Sequence, residues 1–428
     1  MLELDISNVW TCVSLPELMG SEQRLFDAHL LLRDNQPNGP DFLGWLDQPD
    51  SVNARLIHGI RRRAEQICTN SDVLVVCGSG NAFRGVKAVV DCYCGTNRAL
   101  LGSGPLLLFV GQSLSGRQWQ ELTRLLDGRD YSLHILSPYG QDLGVNVTVR
   151  GLRWLMERKY GVQAKERISV ATQVGSALHK MAQEEGYELF PVPKQLGGCD
   201  SALSAGALLP MAVAGIDPLS VLEGAVESHK ELDVRSFDNP AWLYSAARCI
   251  LPEKGRDREL LCLTDHAMES FGNWWQGHSS LSVETVLLPG DLWALDTRAK
   301  DSRIFETVVR FDPTTKKFPV EMDWKDYDGL GFLSGQNLDY VEQSVLRAVV
   351  ESHNEAGVPV MELYGGELSA QSLGELIYFF ELSATLTAVA QGSDPFSRRE
   401  SLSHQSALRS MGGPEEPTAP ETTAETEA

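Results

Sequence analysis

Apolar positions along the chain fall into two alternating patterns. Short runs that are apolar throughout alternate with longer stretches in which apolar residues recur at helical spacing, as a parallel sheet covered by helices on both faces requires. Amphipathic stretches such as GRQWQELTRLLDG and RGLRWLMERKYG predict the covering helices. The first series of runs predicts five strands, at 73–76, 106–110, 132–136, 168–172 and 188–192.

The same alternation repeats after Pro218. A stretch at 372–392 keeps apolar residues at helical spacing and predicts a buried helix in this second half. Between the halves, SALSAGALLPMAVAGI predicts a small-residue helix, which we expect Pro210 to kink or end. The predicted fold class is α/β, with two doubly wound parallel sheets. Strands of the second half are predicted at 260–264, 283–288, 305–309 and 359–363.

These patterns divide the chain into five segments. The C-terminal tail reads GGPEEPTAPETTAETEA after Met411 and has no apolar residue larger than alanine. Such a segment cannot bury enough surface to offset the entropy of ordering, so we expect it to be disordered. The predicted segments are an N-terminal helical extension at 1–50, a first lobe at 51–217, a second lobe at 218–396, a C-terminal segment at 397–411 and an acidic tail at 412–428.

Composition and charge narrow the classes of function. The 428 residues are 43% hydrophobic and 22% charged, which is ordinary for a globular protein long enough for two lobes. A formal net charge of −21 argues against nucleic acid as a partner, because phosphate backbones need a basic face. No apolar run is long enough to span a membrane, and the N-terminus lacks the features of a secretory signal. We therefore expect a cytoplasmic protein with no membrane partner.

The eight cysteines show no spacing typical of metal ligands. We interpret them as buried small residues in a reducing compartment, and we expect neither a metal nor a cofactor. They are Cys12, Cys68, Cys77, Cys92, Cys94, Cys199, Cys249 and Cys262.

A series of ordered motifs runs from about residue 28 to residue 396. They include PDFLGWLDQP at 40–49, SDVLVVCGSGNAFRGVKA at 71–88, GGCDSALSAGALLP at 197–210, FGNWW at 271–275, IFETVV at 304–309, DGLGFLSGQ at 328–336 and LGELIYFFE at 373–381. Together they resemble the glucose-6-phosphate isomerase family. The resemblance implies two lobes of the sugar-isomerase (SIS) type, each an αβα sandwich, and a homodimer, with a heterodimer with an active paralogue as the alternative.

The resemblance places a first sugar-phosphate loop after the strand at 73–76. Members of the family read GIGGSYLGA there, so that the backbone approaches the phosphate at a helix N-terminus. This chain reads GSGNAFRGV, which keeps Gly78 and Gly80. Asn81 replaces a glycine and Ala82 replaces the serine. The loop therefore lacks one hydroxyl donor.

A second loop corresponds to the family's phosphate cradle, SKSGTT. This chain reads SPYGQD and keeps Ser137 and Gly140. Tyr139, Gln141 and Asp142 replace the family's hydroxyl side chains, and Pro138 replaces its lysine. Pro138 also removes a backbone donor, and the Asp142 carboxylate would repel a phosphate dianion. We expect phosphate binding in the usual mode to be impaired.

The resemblance also identifies catalytic positions, and each is changed. The family reads Gly-Gly-Arg where this chain has Gly198 followed by Cys199. The histidine that opens the sugar ring corresponds to Trp293, and the C-terminal lysine corresponds to Gln405. FGNWWQGHSSLSVETVLL continues directly into a strand, without the GESEG loop that carries the family's base glutamate. A cysteine, a tryptophan and a glutamine supply neither the cation nor the proton shuttle of the reaction.

Three hypotheses follow. The first is a family member that has lost aldose-ketose isomerisation and keeps a binding or regulatory role, with a sugar phosphate or another small carbohydrate as its ligand. The alternative is a divergent but active isomerase of glycolysis and gluconeogenesis that recruits Cys199, Asp200, Asp142, Glu269, His278 or His404. The third is a pocket for a less charged ligand, lined by Tyr139, Trp275 and Trp293.

Overall fold

The computed structural model describes residues 2–33, 46, 49, 53–102, 104–192, 202–280, 282–289, 301–313, 316–393, 395 and 409–412. Contacts group Met1–Ser393 into one compact unit. Asp394–Ala428 form a second unit. Of the predicted acidic tail at 412–428, only Gly412 is among the described residues.

Strands and helices alternate through the compact unit as the sequence predicts. The strands are β1 Glu3–Asp5, β2 Val73–Gly78, β3 Leu106–Val110, β4 Tyr131–Leu136, β5 Ile168–Gln173, β6 Glu188–Val192, β7 Arg258–Leu263, β8 Glu284–Pro289, β9 Ile304–Arg310 and β10 Val360–Tyr364. The helices are α1 Leu15–Gly20, α2 Glu22–Arg33, α3 Ala54–Asn70, α4 Gly80–Cys94, α5 Arg98–Leu101, α6 Gly116–Leu126, α7 Leu143–Tyr160, α8 Ala177–Glu185, α9 Ala205–Val213, α10 Pro218–Leu232, α11 Pro240–Glu253, α12 Glu269–Ser279, α13 Leu338–Glu355 and α14 Ala370–Ala390.

The two predicted parallel sheets are confirmed. The first has strand order β3-β2-β4-β5-β6 and is parallel throughout. The second has order β1-β10-β9-β7-β8, and all its pairs are parallel except β1 with β10. Each of the nine predicted strands lies within two residues of its predicted ends. The extension at 1–50 was expected to be helical, yet Glu3–Asp5 form the edge strand β1, which is too short for its alternation to be recognised without its partner.

Apolar side chains cover the first sheet. The central strands β2 and β4 are buried along their whole length. One face of the sheet packs against α6, α7 and α8 through a continuous apolar cluster. The opposite face carries α9, which touches β4, β5 and β6. Burial on both faces explains why these strands are continuous apolar runs.

Helix α9 runs through Pro210, so this proline does not end the helix, and the kink stays a prediction. Proline cannot donate to the carbonyl four residues earlier, which is that of Gly206. His134 on β4 fills the gap, because its Nε2 donates to the Gly206 carbonyl at 2.8 Å. Its Nδ1 accepts from Ser169 Oγ at 2.9 Å. A side chain from the sheet therefore satisfies the backbone group that Pro210 leaves unpaired.

The second sheet buries charged groups beneath its helices. Arg248 on α11 and Glu259 on β7 are both fully buried and form an ion pair. Four further donors bond the Glu259 carboxylate: Tyr244 at 2.5 Å, Thr307 at 2.7 Å, Thr285 at 2.8 Å and Trp275 Nε1 at 3.3 Å. On the opposite face, Glu306 contacts His353 Nδ1 with both oxygens, at 2.8 and 2.9 Å. The carboxylates are thus buried with partners, as their desolvation requires.

Helix α14 is the predicted buried helix of the second half. Among the described residues it alone is long and apolar enough to span a membrane, and 89% of that stretch is buried inside the protein. It crosses α10 at two glycines. A Cβ on Gly374 would lie 1.9 Å from the Val221 carbonyl oxygen, and a Cβ on Gly224 would lie 1.9 Å from that of Gln371. The helix is therefore a core element whose backbone touches its neighbour.

Candidate functional site

The carboxyl ends of β2, β3 and β4 form one edge of the first sheet. β2 lies between β3 and β4, with Cys77 opposite Val110 and Gly78 opposite Leu136. After β2 the chain forms β3 on one side of β2 and then β4 on the other side, so the strand order reverses at β2. Ligands of open α/β sheets bind at such a switch in strand order, outside the carboxyl ends.

Glycines bring the loops after these three strands into backbone contact. A Cβ on Gly78 would lie 2.6 Å from the Leu136 carbonyl oxygen. Gly111 has φ +110°, and its Cβ would lie 2.9 Å from the Gly78 oxygen. A Cβ on Gly144 would lie 2.5 Å from the Gly111 oxygen. Only glycine fits these positions, which accounts for Gly78 and identifies two glycines outside the predicted site.

The loop from Ser137 to Asp142 uses its polar groups internally. Ser137 is buried and donates its N–H to the Ala171 carbonyl at 3.1 Å, while its hydroxyl accepts from the Gly140 N–H at 3.2 Å. The Pro138 carbonyl accepts from the Gln173 N–H at 2.8 Å. Gly140 adopts φ +68°. Two of these bonds join the loop to β5, and the bond from Gly140 to Ser137 closes the loop on itself.

Asp142 sits at the N-terminus of α7. Its carboxylate accepts from the Val145 N–H at 3.2 Å and so caps the helix. The same carboxylate accepts a hydrogen bond from the Ser79 hydroxyl, across the edge from the loop after β2. A helix N-terminus attracts anions, and here the anion at that position belongs to the chain.

The loop after β2 leads into α4, whose first turn faces the second lobe. Asn81 Oδ1 and Arg84 Nη1 each lie 2.9 Å from where a Cβ on Gly277 of α12 would stand. Ala82 is fully buried, and Gly80 adopts φ +74° at the start of the helix. Asn81 therefore packs against α12 and Ala82 is part of the core, so the open edge is left to Ser79, Tyr139, Gln141 and Asp142.

Lys87 also joins α4 to α12. Its Nζ pairs with Asp91 and donates to Ser270 Oγ at 2.8 Å. Lys87 therefore bridges the two helices, and its charge is paired with Asp91 on its own helix.

The recruited groups proposed for an active enzyme do not converge among the described residues. Glu269 and His278 are nine residues apart on α12, which is roughly 13 Å along a helix. Burial, with a smaller effect of the Arg84 guanidinium, lowers the pKa of His278 to about 3. An imidazole with that pKa is too weak a base at neutral pH. Asp142 is already bonded to Ser79.

The aromatic pocket of the third hypothesis is contradicted at Trp275. This side chain is fully buried, and its Nε1 donates to Glu259 at 3.3 Å in the core of the second lobe. Tyr139 is half-buried at the first-lobe edge. The two aromatic rings therefore belong to different environments, because Trp275 packs beneath the second sheet while Tyr139 follows β4.

Several predicted positions lie outside the described residues. They are Gly198, Cys199, Asp200, Trp293, His404 and Gln405. The site that can be assessed thus comprises the two phosphate loops. Ser79 was missed by the sequence analysis, although a serine directly before a helix is a recognisable signal for an N-terminal capping position.

The described residues contain no group of three or more His, Cys, Asp and Glu side chains that could hold a metal ion. Cys77, Cys92, Cys249 and Cys262 are buried as expected, whereas Cys68 is exposed. A separate shallow groove of about 280 Å³ lies between α3 and the α9–α10 connection. Three charged side chains line it, Arg61, Glu65 and Asp217, and Arg61 pairs with Asp217 at 2.6 Å.

Comparisons with known proteins reveal relatives over nearly the whole chain. No protein-family model matches it. The glucose-6-phosphate isomerase of Staphylococcus saprophyticus is 32% identical over 411 residues, which cover 93% of each chain. That of Clostridium tetani is 30% identical over 415 residues, covering 93% of this chain and 92% of the relative.

Solved structures share the fold at lower identity. A hypothetical protein of Thermus thermophilus superposes with a TM-score of 0.82 at 19% identity, covering 97% of this chain and all of the other. A glucose-6-phosphate isomerase of Chlamydia trachomatis superposes with a TM-score of 0.74 at 15% identity, covering 92% of this chain and 85% of the other. These similarities support the two-sheet architecture described above.

Proposed function

The chain belongs to the glucose-6-phosphate isomerase family, and we propose that it is a divergent isomerase that interconverts glucose 6-phosphate and fructose 6-phosphate slowly. The observation that carries the proposal is the match to curated isomerases over 93% of this chain and at least 92% of the relatives. The match covers nearly the full length of both proteins, so this chain has neither gained nor lost a domain relative to those enzymes. Its scaffold is therefore the one on which their reaction takes place.

The rate is expected to be low because the catalytic side chains differ. Aldose-ketose isomerisation moves a proton between C1 and C2 while the neighbouring oxygen bears negative charge. A positioned base contributes roughly 10²–10⁴-fold to such a step, and an electrostatic partner of the oxyanion contributes roughly 10²–10³-fold. Cys199, Trp293 and Gln405 supply neither group in the family's manner. We expect kcat/KM far below the usual range of about 10⁴–10⁸ M⁻¹s⁻¹.

Substrate would bind at the edge formed by the loops after β2 and β4. The Ser79 hydroxyl and the N-terminus of α7 are the donors there, and Asp142 occupies both. An incoming phosphate must displace this carboxylate or remain further from the helix. Either route weakens binding, so a high KM is expected.

Loss of the reaction is a second candidate function, and the Asp142 carboxylate specifically favours it. A chain that supplies its own anion to the phosphate cradle is suited to a less charged carbohydrate, or to a binding or regulatory role without turnover. The two candidates predict different effects of removing that charge. In an active isomerase, removing the charge should strengthen phosphate binding and raise turnover at low substrate concentration. In a protein without catalysis, it should strengthen phosphate binding only.

A coupled assay of fructose 6-phosphate conversion tests the proposal. We expect activity above a mock preparation, and a lower KM for Asp142→Ser, which keeps a capping hydroxyl and removes the charge. Ser115→Ala, outside these loops, is the matched control and should leave KM unchanged. Activity that Cys199→Ala abolishes would assign the reaction to a site rebuilt around Cys199. Purified protein with no turnover above the mock would overturn the first candidate and leave the second.

The proposal extends to assembly and location. We assign a homodimer to the chain, with a heterodimer with an active paralogue as the alternative, and a cytoplasmic location where hexose phosphates are metabolised. Support for the dimer is family membership.

A further inference from the structure

Helix α4 presents one cation near the open edge of the first sheet that no carboxylate neutralises. Arg84 lies four residues beyond Gly80, roughly 6 Å along the helix from its first residue. The Arg84 side chain is exposed, and no carboxylate among the described residues pairs with it. Lys87, about one turn further, is already paired with Asp91. Arg84 is therefore an unpaired positive charge in a chain whose net charge is −21.

Helix α12 fixes the position of the Arg84 side chain. Arg84 Nη1 and Asn81 Oδ1 each lie 2.9 Å from where a Cβ on Gly277 would stand, so this glycine leaves room for both groups beside α12. A Cβ on Gly85, the next residue of α4, would lie 3.2 Å from Trp274 Nε1. The two helices are thus in close contact around Arg84. A side chain on such a rigid element is positioned more precisely than one on a loop.

The surroundings of Arg84 on α12 leave its charge in place. Burial, and to a smaller extent the Arg84 guanidinium, lower the pKa of His278 to about 3. This imidazole is neutral at pH 7, so it neither repels the guanidinium nor pairs with it as a charge. Helix α12 ends at Ser279 and β8 begins at Glu284, so the connection that follows is short. An anion can therefore approach the exposed side chain of Arg84.

The Asp142 carboxylate makes a second anion site necessary. It already takes the Ser79 hydroxyl and the N-terminus of α7, and it would repel a phosphate dianion brought close to it. A phosphate held further along α4 avoids this repulsion. The planar guanidinium of an arginine can donate two parallel hydrogen bonds to phosphate oxygens, which makes it a strong partner for this group.

We propose that Arg84, together with the side-chain amide of Asn81, binds the phosphate group of a hexose phosphate at the boundary between α4 and α12. The guanidinium donates to two phosphate oxygens and the amide donates to a third. This inference rests on the isomerase function proposed above and names the residues that hold its substrate. Arg84 is then the residue that distinguishes a phosphorylated sugar from an unphosphorylated one.

Isothermal titration of the full chain with glucose 6-phosphate and with inorganic phosphate tests the site. Arg84→Gln should raise the Kd of both ligands at least about 10-fold, because it removes a charge-assisted pair of hydrogen bonds. Arg84→Lys keeps the charge without the fork and should raise the Kd less. The matched control is Arg55→Gln, which makes the same change of charge at an exposed position on α3 and should leave both Kd values unchanged.

Thermal unfolding without ligand separates binding from folding. Arg84→Gln should keep the wild-type midpoint, because the altered side chain is exposed. A lower midpoint with unchanged Kd values would show that Arg84 only stabilises the carboxyl end of α12, and would overturn the inference. Equal weakening of binding by Arg84→Gln and Arg55→Gln would do the same, because it would reduce the effect to net charge.

The double variant Arg84→Gln, Asp142→Ser locates the phosphate. It should bind more tightly than Arg84→Gln alone, because removal of the carboxylate opens the loop after β4 to the phosphate. A wild type that binds neither ligand would overturn the inference, as would wild-type affinity in Arg84→Gln.

The titrations do not depend on turnover, so this inference and the isomerase proposal can fail separately. Weaker binding in Arg84→Gln without any turnover in the wild type would support the phosphate site and overturn the isomerase. Turnover with an unchanged KM in Arg84→Gln would support the isomerase and overturn the phosphate site.

Discussion

The two sheets have the same parallel architecture but bury different chemistry. The first covers its strands with apolar side chains and buries the neutral pair of His134 with the Gly206 carbonyl. The second places Glu259 against Arg248, with both side chains fully buried. The same fold is thus stabilised in one lobe by apolar packing around a neutral hydrogen bond and in the other by paired charges.

The difference shows where each lobe tolerates change. A buried carboxylate requires every partner, because an unpaired charge in the core has a large desolvation cost. Burial by itself raises the pKa of Glu259, but Arg248 and the hydroxyls of Tyr244 and Thr307 together lower it below its ordinary value. The strands of the first sheet contain no fully buried carboxylate among their described residues. The buried Arg63 of α3 pairs there with Glu188 of β6, which is partly exposed. Its carboxyl edge has accepted Pro138 and Asp142 without disturbing the strands below.

The largest effect is expected from breaking the buried ion pair. Arg248→Met leaves Glu259 buried without its cation and should lower the free energy of unfolding by about 3–5 kcal/mol. Urea denaturation at pH 7 measures it. Arg303→Met removes the exposed pair with Asp257, which solvent screens, and should cost far less. Equal costs for the two variants would show that the buried charges are not what stabilises the second lobe.

A methyl group at Gly206 should destabilise the first lobe through a steric clash, without any change of charge. A Cβ there would lie 2.1 Å from Ala171 Cβ, so Gly206→Ala pushes α9 from β5 and weakens the bond to His134. We expect a loss of about 1–3 kcal/mol in urea unfolding. Gly59→Ala on α3 has no atom within 4 Å and should instead stabilise by about 0.5–1 kcal/mol. A neutral Gly206→Ala would contradict the close contact.

Acid should weaken the protein first at its buried histidines, His134 in the first lobe and His278 in the second, and only at lower pH at Glu259. Burial, partly opposed by the Gly206 bond, lowers the pKa of His134 from 6.5 to about 4. The unfolded chain therefore binds a proton that the folded chain excludes, and stability present above pH 6.5 falls as the pH drops toward 4. One such histidine costs about 2 kcal/mol at pH 5. Glu259, whose pKa is lowered, loses its contribution only below its unfolded value of 4.5.

Unfolding of His134→Gln at pH 7 and pH 5 checks this order. The variant should lose about 2 kcal/mol less than the wild type between the two values. His58→Gln changes an exposed histidine on α3 and should retain the full decline. Part of the decline in stability between pH 7 and pH 5 should remain in His134→Gln. His278 is also buried, and its pKa is lowered to about 3. An unchanged pH dependence in His134→Gln would exclude its role.

The smallest effect is expected at the first-lobe edge. Asp142→Ala removes the cap of α7 and the bond from Ser79, and should cost about 1 kcal/mol. Asp142→Ser keeps a capping oxygen and should be within a few tenths of a kcal/mol of the wild type. Thermal unfolding distinguishes them. A loss of several kcal/mol would mean that this edge is part of the core and not an adaptable surface.

Local patterns predicted most of the fold and only part of the site. Continuous apolar runs identified nine strands, and helical spacing identified α14. An element that is buried on both faces needs apolar residues at nearly every position, so the pattern is visible in the sequence. The loop SPYGQD was located as well, and its residues lie together after β4. Ser79 was missed because its partner, Asp142, is 63 residues away. Spacing along the chain carries no record of such a contact.

The sequence by itself determined the α/β class, the two sheets and the family, since these follow from periodicity and from ordered motifs. Tertiary structure decided how exceptions are resolved. Pro210 stays inside α9 because His134, 72 residues before Gly206, donates to the carbonyl that the proline leaves unpaired. Glu259 stays charged because Arg248 arrives from another element. The local sequence shows that a proline lacks a donor or that a charged residue lies in an apolar stretch. Only residues brought close by the fold can supply the missing hydrogen bond or the opposite charge.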